Sequence, residues 1–166
     1  MQLSNLFYYV LATAAAVSAI PTPLDARSPP TDIPSTIHGF PPKDWVCKTS
    51  QTKDTTRKFS ADYIKQSTEA GLRLRDNGNN PAGGSKYPQF FTNPESISGL
   101  EDYKGQTNVD HFPLNYDDST VFTGGSPTSD ARVVYQHTIE SDEATFIGVW
   151  THAGRKDGKF EKCTEQ

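Results

Sequence analysis

The feature that most limits what this chain can fold into is a single amphipathic helical pattern at residues 60–76, with only short segments after it. Tyr63, Ile64, Ser67, Ala70, Gly71 and Leu74 recur at i, i+3, i+4 and i+7, while Lys65, Glu69, Arg73 and Arg75 fall on the outer face. Ser60 stands where an N-cap belongs, and Asn77-Gly78-Asn79-Asn80-Pro81 stops the pattern. Gly83-Gly84-Ser85 then makes a flexible loop. Beyond it, Tyr87–Phe91, Val109–Leu114, Thr120–Thr123, Arg132–Thr138, Thr145–Thr151 and Lys159–Cys163 read as short strands divided by turns. One helix followed by a run of strands predicts an α+β fold, the helix packed on an antiparallel sheet.

At 166 residues the chain suits one domain. Residues 1–19 read as a secretory signal: Leu6–Ala19 is apolar, too short to span a bilayer comfortably, and ends in Val17-Ser18-Ala19. No lysine or arginine precedes it. Residues 20–43 hold seven of the twelve prolines with no periodicity, so they read as an extended, disordered leader. The folded domain is expected over 44–166, beginning at Trp45-Val46-Cys47. No later stretch is apolar enough to cross a membrane. The only two cysteines, Cys47 and Cys163, stand at opposite ends of that domain. In an oxidising compartment they can pair and close a loop of more than 100 residues. A net charge of −4 excludes a wholesale polycationic nucleic-acid binder, so any polyanion must be held by local positive charge.

Two runs in the last third carry chemistry. In the first, Gly124-Gly125-Ser126-Pro127 precedes Asp130-Ala131-Arg132-Val133-Val134-Tyr135. In the second, Ile147-Gly148-Val149-Trp150-Thr151 delivers His152 to a turn at Ala153-Gly154. An arginine offers a planar fork of donors matched to phosphate, and a histidine exchanges a proton near neutral pH. A strand histidine is as readily a hydrogen-bonded structural residue, so these runs alone leave both readings open. No P-loop, CxxC, HExxH or other metal-ligand spacing is present, and neither cofactor nor metal is expected.

In order along the chain, Glu69-Ala70-Gly71-Leu72-Arg73-Leu74, Lys86-Tyr87-Pro88, Phe112-Pro113, Gly124-Gly125-Ser126-Pro127, Ala131-Arg132-Val133-Val134 and Gly148-Val149-Trp150-Thr151-His152-Ala153-Gly154 resemble the guanyl-specific fungal ribonucleases. That microbial ribonuclease family also includes the sarcin-type ribotoxins. The resemblance runs from Cys47 to Cys163 and implies a helix on a twisted antiparallel sheet, termini tied by a disulfide, with the active site on the concave face. It implies that Tyr87 touches the scissile phosphate, Arg132 balances the charge of the phosphorane, His152 is the general acid and Phe160 walls the phosphate site. Phe91, Asn93 and Glu95 match the base-recognition loop, with Phe91 as stacking platform and Glu95 as acceptor of guanine donors. Pro94 stands where a second aromatic is usual, and Gly158 where the family has an asparagine. Two catalytic positions depart as well. Gln89 stands in place of a histidine, and His111 in place of the glutamate that takes the 2′-hydroxyl proton.

The family reaction is metal-free attack of the 2′ oxygen on its own phosphate, giving a 2′,3′-cyclic product. It needs a base and an acid, each worth about 10²–10⁴ in rate. Gln89 can donate a hydrogen bond but carries neither charge nor proton. The expected protein is therefore secreted and monomeric. RNA is its ligand, bound in a guanine-preferring groove, and cleavage is weak or absent. What the resemblance further implies is a host-directed effector role, with delivery into host cells and a host protein as a second partner. The alternative is a working endoribonuclease that uses His111 as base and His152 as acid. A protein-binding module keeping the fold for stability is the third reading, disfavoured by Arg132, His152 and Glu95. Lys86, Arg155, Lys156, Lys159 and Lys162 form a basic rim, and His137 is expected to be without a catalytic role.

Overall fold

The helix forms where its periodicity and cap predict. In the computed structural model α1 spans Ala61–Asp76, and the Ser60 Oγ accepts a hydrogen bond from the Tyr63 N–H at 3.3 Å, filling one of the donors orphaned at a helix start. The structure describes residues 36–40, 43–50, 55–76, 82–91, 94–138, 141–153 and 159–166, all within the unit 32–166. The signal-like stretch, most of the Pro-rich leader, the helix stop at residues 77–81, Asn93 and residues 154–158 lie outside the described residues.

Six strands form the main sheet, in the order β1 (Thr36–His38), β7 (Glu143–Thr151), β6 (Ala131–His137), β5 (Val109–Pro113) and β4 (Gln89–Phe90), with β8 (Glu161–Lys162) also on β7. The pairs β4–β5, β5–β6, β6–β7 and β7–β8 are antiparallel. A smaller antiparallel sheet runs β3 (Thr56–Phe59), β2 (Trp45–Lys48), β9 (Thr164–Glu165). The Cys47–Cys163 disulfide joins β2 to the residue between β8 and β9. The α+β class, the helix-on-sheet packing and the disulfide are as expected.

The main sheet has two faces, and both are covered. Toward α1, Phe112, Val133, Tyr135 and Val149 pack with Tyr63, Ile64 and Leu72 in one core that takes in Trp45 and Phe59. Gly71 permits this approach: a Cβ there would lie 2.6 Å from the Tyr135 hydroxyl and 3.1 Å from Phe112 Cγ. On the opposite face Val109, Val134 and Trp150 pack with Phe91, Ile97 and Leu100. Since strand side chains alternate, this second face is also where His111, the pairing partner of Val134, and Arg132, the partner of Trp150, must point.

Several expectations are corrected. Thr36–His38, within the stretch read as a disordered leader, pairs with β7 in parallel, so the main sheet is mixed. Thr120–Thr123 makes no strand: Phe122 is buried, but the segment runs as a loop over α1, with Thr120 O accepting from the Tyr63 hydroxyl. Arg75 does not face out. Its Nε donates to Asp110 Oδ2 at 2.8 Å and its Nη2 to Oδ1, and His137 Nδ1 lies 2.9 Å from Oδ2. Asp110 is fully buried, and a buried carboxylate requires such partners. His137 thus stands beside a structural Arg75–Asp110 ion pair.

Candidate functional site

Strand register brings the catalytic candidates together. Gln89 of β4 pairs with His111 of β5, His111 with Val134, and Arg132 of β6 with both Pro113 and Trp150. His152 follows β7 two residues after Trp150, and Phe160 precedes β8. Tyr87 enters just before β4 through a cis Tyr87–Pro88 bond.

Arg132 is set rigidly. It is only 5% exposed, and its Nη1 donates to the carbonyls of Ser129 at 2.8 Å and Ala131 at 2.7 Å. Its Nη2 reaches the Tyr87 hydroxyl at 3.4 Å, and its Cζ sits 5.3 Å from the centre of the Tyr87 ring. Lys86 Nζ is 6.0 Å from the same ring. A guanidinium fixed by main-chain carbonyls meets an oxyanion without reorganising, which is where such a charge is most effective.

His111 is packed between aromatic rings and is 6% exposed. It stacks on Phe91, with centroids 4.3 Å apart and planes 16° from parallel, and meets the edges of Tyr87 at 5.5 Å and Phe160 at 5.9 Å. Its Nδ1 is buried with no hydrogen-bond partner among the described residues. Burial first, and then the charges of Arg132, Lys86 and His152, lower its pKa from 6.5 to about 3. The ring is therefore neutral at pH 7, burial being the largest cause and the Arg132 guanidinium the next.

His152 is more open, its side chain 37% exposed, and stands edge-on to Phe160 with centroids 5.4 Å apart. Burial and Arg132 lower its pKa, and Asp130, whose Oδ1 is 3.7 Å from His152 Nδ1, opposes them. Asp130 had no role in the sequence reading. Its signal was there: it lies two residues before Arg132, leading into the same strand.

The structure therefore gathers Tyr87, Gln89, His111, Arg132, His152 and Phe160 on one face. Phe91 belongs to the same cluster, but it is 7% exposed and one of its ring faces is taken by His111. Of the remaining base-loop candidates, Asn93 is outside the described residues and Glu95 lies on the 3-10 turn Pro94–Ser96.

Residues 47–164 match the family model described as ribonuclease. Over 78 residues the chain is 35% identical to guanyl-specific ribonuclease U1 of Ustilago sphaerogena, an alignment that covers 47% of this chain and 67% of that protein.

Proposed function

This chain belongs to the ribonuclease family, and on that premise we propose that it binds RNA across the face of β4–β7, favouring guanine, and cleaves it far more slowly than a member with an intact acid–base pair. The observation that carries the reading is the state of His111. An imidazole buried to 6% exposure and stacked on Phe91 fills the position from which a base must reach the 2′-hydroxyl. Its nitrogen stands elsewhere than a carboxylate oxygen would, and a misplacement of about 1 Å costs on the order of 10² in rate. Taking up a proton would also create a buried cation beside Arg132, Lys86 and His152, and burial first, with those groups after it, already holds its pKa at about 3. Gln89, its cross-strand partner, has no charge to offset this.

The binding half rests on other residues. Arg132 supplies positive charge for a phosphate, His152 stands beside it, Lys86 lies next to Tyr87, and guanine preference is carried over from the guanyl-specific relative to Glu95. We extend the reading to export, supported by the apolar stretch ending at Ala19 and by the paired cysteines; a host-directed role rests on the resemblance alone.

A second reading has one observation in its favour. A neutral base of pKa about 3 is close in basicity to the carboxylate it replaces, whose ordinary value is about 4.3, so His111 and His152 are protonically sufficient for transphosphorylation. The test is cleavage of a guanine-containing dinucleotide and of total RNA, with binding measured in parallel. Under the first reading His111→Ala leaves the small wild-type rate unchanged, and Gln89→His combined with His111→Glu raises it by about 10² or more. Robust wild-type turnover to cyclic phosphates, abolished by His111→Ala and by His152→Ala, would overturn it in favour of the second.

A further inference from the structure

Behind His152 lies a carboxylate whose arrangement exceeds what burial demands. Asp130 is 5% exposed. Its Oδ2 accepts from the Ser50 hydroxyl at 2.7 Å and from the Ser50 N–H at 3.3 Å, and the Tyr116 hydroxyl is 3.4 Å from the same oxygen. Donors from two separate loops thus meet at one oxygen of the carboxylate. The other, Oδ1, faces His152 Nδ1 at 3.7 Å. The main chain repeats the link, since the His152 N–H donates to the Asp130 carbonyl at 3.3 Å. The backbone bond thus holds the two residues together, with carboxylate and ring within ion-pair range of each other.

We propose that Asp130 is the positioning residue of His152: its Oδ1 draws the ring proton to Nδ1 and leaves Nε2 as the nitrogen presented to the phosphate. The inference rests on the reading of His152 as the group that meets RNA phosphate, and adds which nitrogen meets it and what decides this. A neutral imidazole carries one proton, and the group facing one nitrogen selects the tautomer. When the ring is charged the same carboxylate favours the charge. Among the described residues, the charged and titratable groups acting on His152 are Arg132 from β6, Asp130, and His111 from β5. Arg132 opposes a second cation and His111 is neutral, so Asp130 is the one counter-charge. In the protonated ring Nε2 is a donor that can either protonate a leaving 5′ oxygen or hold a phosphate without cleavage, so Asp130, which favours that charged form, matters under either functional reading.

The test is long-range ¹H–¹⁵N NMR of the His152 ring in the oxidised protein, with His152→Ala for assignment and Asp130→Asn as the variant. The neutral wild-type ring should carry its proton on Nδ1. In Asp130→Asn the His152 pKa should fall by about one unit, the low end for an opposite charge at this range. The pH midpoint for binding guanosine 3′-monophosphate should fall with it. A purely structural Asp130 would lower Tm and move neither the pKa nor the midpoint, which overturns the proposal. So does a wild-type ring protonated on Nε2, a result that requires no variant to fold. Loss of nucleotide binding in every form would count against the RNA reading, while the ring signals still decide the role of Asp130.

Discussion

Acidification should weaken this fold, and His111 should carry a separable share of the loss. Its pKa is about 3 in the folded protein against an ordinary 6.5. The unfolded chain therefore binds the extra proton between those two values, and stability falls as pH drops through that window. The contribution is complete above about pH 6.5 and gone below about pH 3, a span of about 5 kcal/mol. Most of a useful signal is already present at pH 5, where the linkage relation gives a loss of about 2 kcal/mol relative to pH 7. That is a large fraction of the stability of a small domain. Urea unfolding at pH 7 and pH 5 measures it, on the wild type and on His111→Gln, which removes the titrating group and keeps a polar side chain. Carboxylates and other histidines titrate in both proteins, so they largely cancel in the difference of differences. The expected residual is about 2 kcal/mol, with the variant the less pH-sensitive of the two. A residual below about 0.5 kcal/mol would refute the reasoning, because it would mean that His111 takes up its proton in the folded state at an ordinary pH. The imidazole would then take up a proton readily inside its pocket, and the argument from its depressed pKa would fall.

Other expectations are more direct. Reduction of Cys47–Cys163, which spans 116 residues, should lower stability by roughly 4–5 kcal/mol, read as a shift of the denaturant midpoint with the thiols blocked after reduction. Gly71→Ala should destabilise by about 1–3 kcal/mol despite the better helix propensity of alanine, since its methyl would meet the Tyr135 hydroxyl at 2.6 Å; a neutral or stabilising result would show that the helix can lift from the sheet at no cost. Glu95→Ala should weaken guanine-containing dinucleotides by about tenfold more than adenine-containing ones, and equal losses would remove Glu95 from base recognition.

How far the sequence could be read depended on how local the cause was. The cap at Ser60 and the apolar stripe of α1 follow from neighbours within two turns, and both are in the fold. Arg75 was assigned to solvent because helical spacing put it beside Lys65 and Glu69, yet it turns in toward Asp110. That partner lies 35 positions away, beyond the reach of any local pattern. The strands β2 and β3 carry no alternation strong enough to declare them, and Trp45, Cys47 and Phe59 are buried by what they meet across the domain. Thr120–Thr123 has strand-like residues, but it pairs with no strand among the described residues and buries Phe122 as a loop. At the site, the residue pattern alone singled out Arg132 and His152, and it was the family resemblance that joined Tyr87 and His111 to them. Burial of His111 against Phe91 was not legible, because stacking depends on strand register, and so the ring expected to platform a guanine already has a protein ring on one side.

The connectivity of the sheets has a kinetic consequence. β5, β6 and β7 follow one another in the chain and pair with their neighbours, so this meander closes comparatively short loops. β1 instead joins β7 at Thr36↔Glu143, and β2 joins β9 at Trp45↔Glu165, pairings between opposite ends of the domain. Contacts so distant in sequence must bear their loop entropy before they return any stability, which slows their formation. The folding nucleus is therefore expected in α1 with β5–β7, whose residues pack into one core, and φ-values should be highest there and near zero in β1 and β9. Cys47 and Cys163 meet only when the ends arrive, so oxidation should act as a latch on an already folded meander rather than as a guide to it.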